Sequence, residues 1–488
     1  MNLLEQYKEL ENKLESLIGD VKFSAEINLK LERIECLLEL LGNPQDSFSV
    51  IHVGGTSGKG STSSYISSIL ESDGYKTGLF LSPYLQVLNE VCLVEGCPVK
   101  TSELLDAYNE IEPLFMEVAN RTKFGYPSYF EVKLALSLML FKRKNIDVAV
   151  IEVGIGGTLD ASNVLSTDVS VLVSVGLDHT EILGDTIEEI ASDKVGIIKE
   201  NGTVVCGFSQ ESTRKIALKR AEEKKATIFL IDRNFKYIYC NGKTSIQTEN
   251  FCQHDLNLSI QGEHQAHNAS CAIVAYEQFV KKHSKSFSHD AVIKGLSIAK
   301  IPGRSEIIQN QPTVILDGAH NPDKLSSFLK WLNELSAKPI IIMALKKGRK
   351  VNSEIPPILG NTGAKLIIAT SFYNQGIWES MSSEDLSEEI KKNNNSDSTE
   401  VVKITDPLDA IKYALKVAHT DDVIAVTGSL FLVGDVREYW HPKEAILQLI
   451  ENEDYGDWSN DDAVLLAAQS FARLDAEEEA DGKSEAGS

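Results

Sequence analysis

The chain has 488 residues, 42% hydrophobic and 24% charged, with 71 acids against 48 bases and a formal net charge of −23. At roughly 150 residues per domain, that length provides for two or three domains with ample cores, and the composition excludes a disordered, collagen-like or disulfide-stapled chain. So acidic a protein should repel nucleic acid and anionic membranes unless its bases are gathered in one place, so neither is expected as a partner.

The cysteines, Cys36, Cys92, Cys97, Cys206, Cys240, Cys252 and Cys271, form no C-x-x-C pair and have no secretory context, which reads as reduced thiols. The N-terminus is acidic and helix-patterned, unlike a signal or transit peptide, and no apolar run approaches the ~18 residues that would span a bilayer. A cytoplasmic protein is expected.

Leu3, Leu4, Leu10, Leu14 and Leu17 recur at helical spacing, and a second helical pattern from Leu29 to Leu41 stops at Gly42, Asn43 and Pro44. Then the period changes. FSVIHVGG reads as a buried strand, GTSGKGS as a glycine-rich turn, TSSYISSILESDG as a helix closed by Gly74, and TGLFLSP as another strand, which opens an α/β domain. The runs 146–154, 168–176 and 203–207 are too uniformly apolar for a one-sided sheet and predict central parallel strands.

A Pro-Gly turn within Ile301 to Arg304 precedes a second series, TVILDGAHNP, PIIIMAL, KLIIAT and DDVIAVTGS. The reading is α/β throughout: a P-loop-containing domain over 1–300, a smaller doubly wound α/β domain over 301–440, and an acidic, largely disordered tail over 441–488 with one short apolar helix near Ala463 to Leu474. Residues 451–488 hold 12 acids and 2 bases, so −10 of the net charge belongs to that end.

The glycine loop fails the strict Walker A pattern, because Val53 stands where its first glycine belongs and Gly60 separates Lys59 from Ser61. Its physics survives. Gly54, Gly55, Gly58 and Gly60 let backbone N–H groups close on phosphate oxygens at a helix start, Lys59 supplies positive charge, and Ser61 or Thr62 can face Mg²⁺. Glu152, the first charge after VAVI, sits where parallel sheets place ligands and can hold Mg²⁺, although a loop carboxylate is the plainer alternative. Asp178 and His179 end a third strand. Lys194 reads by itself as a solvated helical lysine. Asp317 ends another strand, as a ribose ligand or a cap, ahead of His320 and Asn321, and Arg304 lies at the domain junction, reaching a phosphate or forming a salt bridge.

Together these strings resemble the folylpolyglutamate synthase/dihydrofolate synthase family of the Mur ligase superfamily. GTSGKGS is similar to the family's GTNGKGS, TGLFLSPYL to TGLFTSPHL and EVGIGGTLDASN to EVGLGGRLDATN, while GLDHTEILGDT with KVGIIK, GEHQAHNA, PGRSE and LDGAHNP follow in order from about Leu29 to Tyr439. The resemblance implies a Mur-ligase-like central domain. It places Ser57, Gly58, Lys59 and Gly60 on the ATP phosphates; Ser82, Glu152 and His179 on two Mg²⁺ ions; Lys194 as a carbamate ligand; and Asn268, Arg304 and Asp317 on the nucleotide. It sets the stretches 28–33 and 128–131 on the pterin side, with His320 an amine-side base or orienting residue. Ser57, Tyr84 and Thr158 replace the family's Asn, His and Arg, and KKGRK over 346–350 replaces an acidic segment facing the incoming glutamate.

The implied reaction is ATP-dependent joining of L-glutamate to a folate or dihydropteroate carboxylate through an acyl phosphate, in a monomer whose second domain closes over the nucleotide. Another Mur-type amino-acid ligase, a P-loop phosphotransferase, and a non-catalytic protein working through its acidic tail are the competing readings.

Overall fold

The computed structural model describes residues 2–18, 31–336, 338–360, 362–373, 378–394 and 399–452. The expected helix near Ala463 to Leu474, the acidic end from 453 onward and residues 28–30 of the first pterin-side stretch lie outside them. The chain forms two compact units, one of Tyr7–Tyr84 and Leu88–Ile301, the other of Met1–Gln6, Leu85–Val87 and Pro302 onward. All seven cysteines are free thiols. Among the described residues no helix is long and apolar enough to cross a membrane.

The larger unit is built on an eight-stranded sheet of β1 (Ser49–Gly54), β2 (Thr77–Phe80), β3 (Cys92–Val94), β4 (Cys97–Pro98), β5 (Val148–Glu152), β6 (Val169–Leu172), β7 (Thr203–Cys206) and β8 (Thr227–Leu230). Their order is β4-β3-β2-β5-β1-β6-β7-β8, and the pairs from β2 to β8 are parallel while β3 and β4 run antiparallel at the edge. The apolar runs become the central strands because both faces are covered: all five residues of β5 are buried.

This order brings separate sequence motifs to one sheet edge. Val53 pairs with Glu152 across β1 and β5, and Phe80 of β2 pairs with Ile151, so the residues just beyond these positions emerge side by side. Gly54 pairs with Leu172, which sets Ser174 beside the loop after β1. Brief polar strands escaped the sequence reading: β9 (Lys236–Cys240), β10 (Lys243–Gln247) and β11 (Cys252–Leu256) form a separate antiparallel sheet with alternating or mostly exposed residues.

The second unit has a six-stranded sheet of β12 (Glu306–Asn310), β13 (Thr313–Leu316), β14 (Ile340–Met343), β15 (Leu366–Ala369), β16 (Glu400–Lys403) and β17 (Val423–Thr427), ordered β12-β13-β17-β14-β15-β16. The four apolar segments are the inner strands; the edge strands β12 and β16 carry exposed polar residues and give no comparable signal. One expectation fails here. A tail from 441 is expected, but Lys443–Asn452 is a helix with Ala445, Ile446, Leu447 and Ile450 buried, because KEAILQLI carries an apolar helical stripe before the acidic run begins. The short segment Leu85–Val87 also belongs to this unit. Gln86 Nε2 donates to the His441 carbonyl (2.9 Å), and Arg437 donates to Gln86 Oε1 and pairs with Glu306 (3.0 Å).

Candidate active site

The loop after β1 leads into the helix Lys59–Ser72, whose N-terminus has no side-chain cap. Its first amide donors therefore point at the space a ligand would take. Gly58 adopts φ +79°, and a Cβ there would stand 2.2 Å from Asn268 Oδ1, so only glycine fits between the loop and the helix Glu263–Lys282. Asn268 is fixed in turn by donating from Nδ2 to Gln265 Oε1 (3.0 Å). Ser174 clamps the loop from the other flank: its hydroxyl accepts from the Ser57 amide (2.9 Å) and donates to the Ser57 carbonyl (2.8 Å).

Lys59 Nζ lies 3.9 Å from Glu152 Oε1, while Glu152 Oε2 accepts from the Ser82 amide at 3.0 Å. The carboxylate is 6% exposed and close to Gly60 at the helix start, where the helix dipole favours negative charge. Behind it, Thr62 Oγ1 is buried without a hydrogen-bond partner. An uncapped helix start, a glycine cradle, a lysine, a carboxylate and an unsatisfied buried hydroxyl together fit a nucleotide phosphate with Mg²⁺, which takes few protein oxygens and keeps waters and phosphate oxygens for the rest. Among the described residues no group of three His, Cys, Asp or Glu stands together.

Lys194 is not the solvated lysine that its helix alone suggests. It ends the helix Ile187–Lys194, is 4% exposed, and donates from Nζ to the Gly55 carbonyl of the loop (3.2 Å). His179 begins the helix Thr180–Leu183 at φ +51°, with Nδ1 4.0 Å from Glu181 Oε1.

The two stretches expected on the pterin side meet. Arg33 pairs with Glu131 at 3.0 Å, both side chains buried, and Glu131 also caps its own helix, Tyr129–Lys144, by accepting from the Ser128 amide. Burial raises the Glu131 carboxyl and Arg33 opposes that rise. Next to it, Phe130 packs on Gly154 just past Glu152, where a Cβ would come within 2.7 Å of the ring. Asp160 holds the following loop, accepting from the Ile155 amide (2.9 Å) and the Ser162 amide (3.0 Å). Ser162 Oγ lies 2.7 Å from Nε2 of His52, a histidine that burial depresses to about 3.

In the second unit, Asp317 accepts from the Ser305 amide (2.8 Å) through Oδ2 and from the Ala319 amide (2.8 Å) through Oδ1. It shapes the turn in which Gly318 approaches the Arg304 guanidinium. His320 Nδ1 is 2.9 Å from the Gly318 carbonyl and Nε2 is 3.1 Å from Lys324 Nζ. An ammonium can only donate, so Nε2 accepts from Lys324 and Nδ1 carries the proton. That lone pair is already engaged, which suits an orienting residue better than a base.

Sequence reading missed Ser174 and Asp160. Ser174 had a weak signal as a polar residue ending an apolar strand.

Comparison with known proteins agrees with this geometry. Residues 53–276 match the Mur ligase middle domain, and residues 303–430 match the Mur ligase, glutamate ligase domain. The chain is 33% identical over 429 residues to a dihydrofolate synthase/folylpolyglutamate synthase of Bacillus subtilis, covering 86% of this chain and 96% of the relative. Among solved structures it resembles the Mycobacterium tuberculosis folylpolyglutamate synthase complexed with ADP (27% identity, TM-score 0.81, 90% of this chain and 99% of that one). It also resembles the Thermotoga maritima folylpolyglutamate synthase (32% identity, TM-score 0.74, 89% and 97%).

Proposed function

Because this chain belongs to the dihydrofolate synthase/folylpolyglutamate synthase family of Mur ligases, we propose that it joins L-glutamate to the carboxylate of a pterin-bearing substrate through an acyl phosphate. It is an ATP-dependent carboxylate–amine ligase. The observation that carries the proposed route is the convergence of Lys59, Glu152 and Ser82 at the uncapped start of the helix Lys59–Ser72.

A carboxylate and an ammonium do not condense in water, so the carboxylate must first be activated. Its oxygen attacks the γ-phosphorus of ATP, ADP departs, and an acyl phosphate remains. The amine of glutamate, having lost its proton, then attacks the acyl carbon and phosphate leaves. Negative charge accumulates in both steps, which makes fixed positive groups the main catalytic resource. Lys59 and the loop amides meet the phosphates, with Asn268 beside them in the same unit. In the other unit Arg304, presented by the turn that Asp317 shapes, matches a nucleotide contact of the family, and His320 matches an amine-side residue.

Glu152 and Ser82, with Thr62 behind them and His179 by family match, are the oxygen and nitrogen donors that would hold Mg²⁺. When bound, that ion neutralises phosphate charge and polarises the phosphorus–oxygen bonds. Lys194 would complete the set as a carbamate: the ammonium loses one proton, and the neutral amine adds CO₂ and releases a second, so that a buried cation becomes an anionic oxygen donor. The protein acts as a monomer in this scheme.

The route is tested by labelling both carboxylate oxygens of the pterin substrate with heavy oxygen and recovering the inorganic phosphate. One labelled oxygen per phosphate is the expected result. Phosphate without label excludes the acyl phosphate.

A further inference from the structure

Lys133 lies near the start of the helix Tyr129–Lys144 and is only 4% exposed. Its Nζ stands 4.2 Å from the centre of the Tyr129 ring and 5.8 Å from that of Tyr84, and no carboxylate pairs with it among the described residues. A buried lysine ordinarily carries an acid partner, since an ammonium held only by ring faces recovers little of its lost hydration. The position of this box is informative. Tyr84 follows Ser82 by two residues, and Tyr129 precedes Phe130, which packs on Gly154 two residues beyond Glu152. One strand end that builds the phosphate site therefore leads into Tyr84, and the other packs against the neighbour of Tyr129.

We propose that Lys133, between the rings of Tyr84 and Tyr129, is a specificity-determining residue for the aromatic substrate, donating from Nζ to one of its acceptor oxygens while the phenol rings flank its flat surface. This rests on the functional reading above and deepens it by naming a contact for the pterin-bearing substrate. The box supplies what such a ligand requires, two aromatic walls and one strong donor without an internal acceptor.

The proposal has a pH signature. Burial alone depresses Lys133 to about 7. The groups around it hold their charge state there: burial raises both Tyr84 and Tyr129, whose hydroxyls are hydrogen-bonded partners, so both stay neutral. Glu11 and Glu15 from the helix Leu3–Glu15 act on those phenols, and Tyr7 is likewise raised and neutral. A donor-demanding substrate binds the protonated form, so the free enzyme takes up a proton on binding at pH 7 to 8, and affinity falls as pH rises through the lysine's value.

The test uses the full-length protein and two variants, Lys133→Met and Lys133→Arg. Wild-type glutamate addition to a reduced folate is measured first. With that established, Lys133→Met is expected to raise the folate KM by about tenfold or more, as for losing a hydrogen bond from a charged donor, with the ATP KM within about twofold. Lys133→Arg recovers part of the loss. Calorimetric titration of the folate in two buffers of different ionisation enthalpy should show proton uptake in the wild type and none in Lys133→Met. Thermal unfolding checks the fold, because an apolar replacement for a buried charge should not destabilise it. An unchanged folate KM, or equal proton uptake in wild type and Lys133→Met, overturns the role of Lys133 while leaving the ligase reading intact. Failure of the wild type to ligate glutamate to any pterin overturns the functional reading, and this proposal with it.

Discussion

Lys59 Nζ, at the start of the helix that follows β1, stands 3.9 Å from Glu152 Oε1, at the end of the neighbouring parallel strand β5, a cation suited to phosphate beside an anion suited to a metal. Each compensates the other's charge. Lys59→Ala should lower kcat at least about 10²–10³-fold, the scale of losing one group that stabilises charge in the transition state. Circular dichroism should show the fold retained, since the lysine carries no core packing. Full activity in this variant would remove the loop from the mechanism.

Gly58 and Asn268 give a second, geometric prediction. Gly58→Ala adds a Cβ that meets Asn268 Oδ1 at 2.2 Å and imposes a left-handed conformation costing an alanine roughly 1–2 kcal/mol. The expected outcome is a raised KM for ATP with a smaller change for the pterin substrate. Adding Asn268→Ala should relieve the collision without relieving the backbone cost, so only partial recovery of folding stability is predicted in a denaturation series.

The buried pair of Arg33 and Glu131 predicts a stability effect. Replacing Arg33 with Met leaves a buried carboxylate uncompensated and should cost about 3–5 kcal/mol, whereas the double change Arg33→Met with Glu131→Leu should recover most of it. Urea denaturation of the three proteins measures this directly. Equal midpoints for the single variant and wild type would show the pair to be inconsequential.

His52 sets an acid limit on the larger unit. Its folded value, about 3, lies below the ordinary histidine value, so the unfolded chain binds the extra proton between these two. Stability contributed by neutral His52 is complete above about pH 6.5 and is lost as pH falls toward 3, by up to about 1.4 kcal/mol per pH unit. His52→Gln should flatten that part of the pH–stability curve. A slope unchanged by the substitution would place the acid sensitivity elsewhere.

Lys194 predicts chemical rescue. Lys194→Ala should be inactive and regain part of its rate with millimolar short carboxylic acids, which supply the oxygens of the proposed carbamate. No response to any such acid would argue for a different role of this buried lysine beside Gly55.

What the sequence could tell follows from where each signal resides. Parallel strands buried on both faces announce themselves as apolar runs, so β1, β5, β6 and the inner strands of the second unit were legible, and so were two acids that follow such runs, Glu152 and Asp317. The edge strands β12 and β16 and the sheet of β9 to β11 were not, because alternately exposed residues resemble loops. The helix Lys443–Asn452 was lost for another reason: its apolar stripe is short and abuts the acidic run that dominated the composition there. At the site, residue types were readable but pairings were not. That Arg33 reaches Glu131, that Asn268 closes on Gly58, and that Lys194 is buried against the loop depend on contacts between distant segments. Tertiary burial reversed the plain reading of Lys194, and it gave Lys133 a setting that its helical position does not reveal.

This chain attaches glutamate to a pterin-bearing carboxylate. The most direct measurement is incubation with ATP, Mg²⁺ and L-glutamate together with either dihydropteroate or tetrahydrofolate, followed by mass analysis of the pterin. A gain of one glutamyl residue on at least one of the two, dependent on ATP and accompanied by one ADP per addition, is the predicted result; no mass increase with either would contradict it.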